Sequence, residues 1–172
     1  MTKLSLFKSL GLALGGAALV LTPNSISAAD IRVNAGTTWT LTPTADPSVF
    51  THTVNGVAQV SLLGNCTVHA DVVVRFPPSS DQPPTLNGSF AFTTANGATT
   101  LKATVEGTGT PDPANPGFLN FHYHVTFAGG SGQFAAARGE ADIDGVALFT
   151  APSAGTATWT LKGFVITSPS GD

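Results

Sequence analysis

Leu119–Phe127 alternates strictly. Leu119, Phe121, Tyr123, Val125 and Phe127 fall on one face, and Asn120, His122, His124 and Thr126 on the other. A repeat of two is the signature of a strand with one buried face, because successive side chains point to opposite sides of the backbone. The pattern returns along the chain. Thr37–Thr42 puts Trp39 and Leu41 on one side. In Val68–Phe76, Val68, Ala70, Val72, Val74 and Phe76 oppose His69, Asp71, Val73 and Arg75. Val49–Val54, Val57–Leu63, Leu86–Thr93, Thr99–Gly107, Glu140–Phe149 and Thr156–Ile166 complete about nine strands. After residue 30 only Phe134–Arg138 offers a helical turn. The chain must therefore solve its folding problem with sheet alone.

The punctuation between strands suits short hairpins. Asn55-Gly56 lies between two apolar runs, and both residue types tolerate the positive φ of a type I′ turn. Ala95-Asn96-Gly97 is a second hairpin signal. Pro77-Pro78 and Pro83-Pro84 bracket a polar loop, since proline cannot donate to a ladder. Thr108–Gly117 reads as another loop. Successive strands joined this way form a meander, and closing the meander removes its exposed edges. The expectation is an all-β fold, a single closed antiparallel barrel of about eight or nine strands, with a β-sandwich as the alternative.

The first 29 residues have a different character. Lys3 and Lys8 precede an apolar run, Leu10–Leu21, of signal-peptide length and short for a bilayer span. Pro23-Asn24 breaks the run, and Ser27-Ala28-Ala29 places small residues before Asp30. This order predicts a helical signal peptide over 1–29, cleaved after Ala29, and a barrel domain over 30–172. It implies export to the periplasm or the extracellular space. The 30–172 segment keeps five basic residues (Arg32, Arg75, Lys102, Arg138, Lys162) against all ten acids, a net charge of −5. No basic stripe exists for nucleic acid. A membrane barrel is disfavoured by a single Tyr, a polar C-terminal tail (Ser168–Asp172) and the polar character of the faces opposite the apolar stripes. Cys66 has no partner in the chain and reads as a small buried hydrophobe, with a covalent dimer as the alternative.

A glycine corner carries a family resemblance. Phe127-Ala-Gly-Gly-Ser-Gly-Gln-Phe-Ala-Ala-Ala-Arg-Gly139 resembles the GG[TS]GxF segment of a group of secreted bacterial β-barrel proteins, with Ser131 in place of the commoner Thr. The same segment shape is similar to one in allene oxide cyclase and dirigent barrels. The motif covers 127–141, and the style of the strands covers roughly 57–166. Its physics is structural. Gly129, Gly130, Gly132 and Gly139 permit positive φ and close backbone approach, while Phe134 is positioned to bury its ring beneath the corner. A phosphate-binding loop would need a following helix and a Lys-Ser/Thr pair, and both are missing.

Candidate chemistry is sparse. His122 and His124 share a strand face and could ligate Zn or Cu with Glu106, Glu140 or Asp142 as third ligand; the plainer reading is a solvent-facing pair. Glu140, Asp142 and Asp144 are co-facial, as expected of a solvated acidic stripe. His69 and Asp71 are co-facial too, but no nucleophile motif accompanies them. Nothing calls for a cofactor.

These features favour an exported, non-catalytic barrel with a structural role or one small apolar ligand among its eleven phenylalanines. Resemblance to allene oxide cyclase implies an isomerase or cyclase, for which Glu106 and Glu140 would be the polar residues if they face inward. Resemblance to dirigent proteins implies a surface interaction module that forms homo-oligomers.

Overall fold

A computed structural model of the chain describes residues 27–79 and 81–167. The expected signal segment up to residue 26 and the polar tail from 168 onward lie outside the described residues.

Eight strands follow one another: β1 (Ser27–Pro43), β2 (Val49–Val60), β3 (Gly64–Arg75), β4 (Thr85–Thr94), β5 (Thr100–Pro111), β6 (Phe118–Gly130), β7 (Arg138–Ala151) and β8 (Ala154–Thr167). Each pairs antiparallel with the next, and β1 pairs with β8 to close the barrel. The closing register sets Val33 opposite Leu161 and Ala35 opposite Trp159. A closed barrel, and not a sandwich, is the architecture. Ser27–Ala29, the expected cleavage region, form the start of β1 opposite Val165–Thr167.

The two runs expected on either side of Asn55-Gly56 are one strand, because Asn55-Gly56 is not a turn. Both residues lie inside β2, paired with Thr38 and Thr37 of β1. No described non-glycine residue has positive φ, and Gly56 is not among the glycines that do. Gly56 answers a different need. A Cβ there would stand 2.7 Å from the Thr37 Cα and collide with the Gly36 carbonyl. The glycine lets β1 and β2 approach closely, and the inward stripe runs on through Val54, Gly56, Ala58 and Val60. The real turn follows at Ser61–Leu63, with Gly64 at φ 74°. Ala95-Asn96-Gly97 does turn: the Gly97 N–H donates to the Thr94 carbonyl at 2.8 Å, with Gly97 at φ 70°.

The barrel has two unlike ends. At one end the glycine corner seals the interior. Gly129 (φ 89°) sits in a β-bulge where β5 and β6 shift register between Leu101 and Ala103. A single 3-10 turn, Gly132–Phe134, then drops the Phe134 ring into the core, where it is 1% exposed. Ser131 fastens the corner to β5, its Oγ accepting from the Thr100 N–H at 2.9 Å. Gly139 (φ 141°) brings β7 against the Phe164 carbonyl of β8, which a Cβ would strike. Phe134 belongs to one buried hydrophobic cluster with Ile31, Phe92, Leu101, Phe127, Leu161 and Val165, all under 3% exposed. The other end, where the loops after β1, β3, β5 and β7 gather, is built differently.

Candidate functional site: the hollow half of the barrel

Inward positions toward the open end leave a cavity of about 130 Å³. Strand parity supplies its wall: Trp39 from β1, His52 and Val54 from β2, Val72 from β3, Phe121 and Tyr123 from β6, Ile143 and Phe149 from β7, Trp159 from β8. Every lining residue is uncharged or a histidine. The aromatic rings prop one another apart. Trp39 meets Phe149 edge to face at 4.7 Å, and Phe121 stacks on Tyr123 at 4.7 Å. The Trp39 indole N–H donates to the Thr156 carbonyl at 3.2 Å, so its polar end is satisfied. Phe121 leans on Gly145, where a Cβ would lie 2.6 Å from the Phe121 Cε2. Such braced rings leave free volume between them.

One polar side chain in this wall is sealed from water without a partner. His52 falls on the inward stripe Phe50-His52-Val54, opposite Leu41 of β1 and Val72 of β3. Its Nδ1 and Nε2 are both buried without a hydrogen bond. Burial pushes its pKa down from 6.5 to about 4, so the ring is neutral near pH 7. Buried polar groups are nearly always hydrogen-bonded, and an orphan of this kind costs about 1–3 kcal/mol. Burial also raises the Tyr123 phenol above its ordinary range.

The residues singled out in the sequence sit elsewhere. Glu106 and Glu140 are exposed on the outer face, because their neighbours Val105 and Ala141 take the inward positions. A cyclase reading that needs them inside is left without polar residues at those positions. His122 and His124 are likewise outside. Each is bound across the strand pair, His122 Nδ1 to Asp144 at 2.8 Å and His124 Nδ1 to Asp142 at 3.1 Å. Hydrogen bonding to Asp144 raises the His122 pKa. Among the described residues no group of three or more His, Cys, Asp or Glu side chains is placed to hold a metal ion. His69 bridges Asn55 at 2.8 Å and Asp71 at 3.1 Å, also on the outside. Gly129, Gly130, Gly132, Phe134 and Gly139 belong to the corner described above, and none of them lines the cavity. Cys66 is buried and free.

The sequence signal for His52 was a histidine in an otherwise apolar period-two stripe. The His122–His124 doublet is the more conspicuous pattern.

No family model matches the chain, and no curated protein matches it. Among solved structures the chain is similar to a pterocarpan synthase dirigent protein, at 14% identity and a TM-score of 0.44, over 94% of this chain and 99% of that one. At that distance the likeness carries no weight on function.

Proposed function

We propose that this chain is exported, loses its N-terminal segment, and works as a soluble barrel that holds one small apolar molecule in its hollow half. No catalytic step is assigned to it. The observation that carries the reading is the contrast between the two ends. The corner end is packed to under 3% exposure around Phe134, whereas the open end keeps about 130 Å³ free inside an uncharged wall. A barrel that served only as a scaffold gains stability by filling that space, at about 20–25 cal/mol per Å³. A cavity of roughly 150 Å³ with apolar walls holds a benzene-sized guest in another protein. Eight strands are the number at which a barrel interior is either filled by side chains or holds one small ligand. Export is supported by the charged start, short apolar run and small-residue exit of the first 29 residues.

The test is calorimetric titration of the full-length protein with toluene. The reading expects one molecule bound per barrel, and loss of that binding in Val72→Phe, which fills the cavity. Absence of saturable binding to the folded wild type contradicts it and leaves the structural role alone.

A further inference from the structure

The polar side chains of the cavity wall are Thr37, Trp39, His52, Thr85 and Tyr123, and Lys, Arg, Asp and Glu are all missing from it. Four of the five are closed to a guest. Trp39 donates its indole N–H to the Thr156 carbonyl, and Thr37 donates its hydroxyl to the Ala157 carbonyl at 3.4 Å. His52 has both ring nitrogens sealed off within the wall, where nothing the size of water reaches them. Thr85 is exposed at the start of β4, where water serves its hydroxyl.

Tyr123 is different. It lies on the inward stripe of β6, one inward position nearer the glycine corner than Phe121. Its ring stacks on Phe121 with 17° between the planes. It also leans on Gly107 of β5, where a Cβ would stand 2.6 Å from the Tyr123 Cδ1. The ring is therefore held on two sides. Its hydroxyl has no partner among the described residues, yet it is not sealed as the His52 nitrogens are. With the ring on the inward face, the space left to it is the cavity. Burial raises the phenol above its ordinary range, so the oxygen keeps its proton near pH 7 and is a donor.

We propose that the cavity takes an uncharged molecule about one ring in size with a single acceptor oxygen, a cyclic ketone in type, whose carbonyl accepts a hydrogen bond from the Tyr123 hydroxyl. The inference rests on the ligand-binding reading above and names the class of ligand. A hydrocarbon of the same size leaves the phenol proton without an acceptor. A ketone oxygen answers that proton and adds no donor of its own. An alcohol brings a second proton that needs an acceptor in turn. A carboxylate accepts well, but its charge is buried here without a counter-ion.

The probes are cyclohexanone and methylenecyclohexane, which differ only in a carbonyl oxygen against a CH₂ group. They are titrated into the full-length protein and into Tyr123→Phe, which removes one hydroxyl and keeps the ring. The readout is the affinity ratio of ketone to hydrocarbon, which cancels the size and shape they share. The expected ratio is about fivefold lower in Tyr123→Phe than in wild type. The infrared carbonyl stretch of bound cyclohexanone is expected at lower frequency in wild type than in the variant. An equal ratio, or an unchanged stretch, overturns the inference while hydrocarbon binding keeps the cavity reading intact. Cyclohexanol or cyclohexanecarboxylate binding more tightly than cyclohexanone overturns it too. Failure of both the ketone and the hydrocarbon to bind the folded wild type overturns the cavity reading, and this inference with it.

Discussion

His52 and Trp39 meet edge to face across β1 and β2, ring centroids 5.6 Å apart and planes perpendicular. The contact fixes the imidazole inside the barrel wall, where water does not reach its nitrogens. This sets the acid sensitivity of the fold. The folded His52 has a pKa of about 4 against an ordinary 6.5. Between those values the unfolded chain takes up a proton that the folded chain refuses. The associated stability is present in full above pH 6.5 and is lost as the pH falls to about 4, by on the order of 3 kcal/mol. Urea unfolding at stepped pH measures it. His52→Leu is expected to lose distinctly less stability than wild type across that window.

His122 titrates in the opposite sense. Its pKa is raised, chiefly by the hydrogen bond to Asp144, so its contribution is present below 6.5 and disappears as the pH rises through the folded value. The two histidines therefore act in separate windows. Asp144→Asn is expected to bring the His122 titration back toward 6.5 in a proton NMR titration. An unchanged His122 midpoint would show that the pair does not form in solution.

Phe134 is the keystone of the sealed end. Phe134→Ala removes a ring that is 1% exposed and is expected to cost about 3–5 kcal/mol by denaturant unfolding. Phe164→Ala, at a residue 41% exposed on the outer face, is expected to cost well under half as much. Equal losses would mean that the corner does not plug the barrel.

Gly56 and Asn55 separate the two meanings of one dipeptide. Gly56→Ala drives a Cβ into the Gly36 carbonyl and the Thr37 backbone, with an expected loss of about 1–3 kcal/mol. Asn55→Thr puts a β-branched residue on an exposed, extended position and is expected to stay within about 0.5 kcal/mol of wild type. A hairpin turn at this point would make the threonine the damaging change, and thermal melts distinguish the cases.

Much of this architecture was legible in the residues. The alternation in Leu119–Phe127 and Val68–Val74 assigned the inner and outer faces correctly, because parity is a local property. The corner was legible because Gly129, Gly132 and Gly139 hold backbone angles that side chains avoid, and Phe134 is the only large apolar residue among them. Asn55-Gly56 misled because its signal is also local. Whether a glycine serves a turn or a close crossing depends on which strand lies beside it, and the β1 to β2 register decides that. The same limit hid the site. His52 stands in an apolar stripe that the sequence displays, but the gap beside it arises from how Trp39, Phe121 and Phe149 brace across three different strands. The outward course of Glu106 and Glu140 follows from parity with Val105 and Ala141, which the sequence itself displays.

The hollow half of the barrel is tested most directly by a crystal structure of the protein under xenon pressure, since apolar cavities of about this size admit xenon. The account predicts an eight-stranded closed barrel with a xenon peak enclosed by Trp39, Val72, Phe121 and Ile143, and none beside Phe134. A barrel whose open end is filled by side chains, with no xenon inside it, would contradict the account.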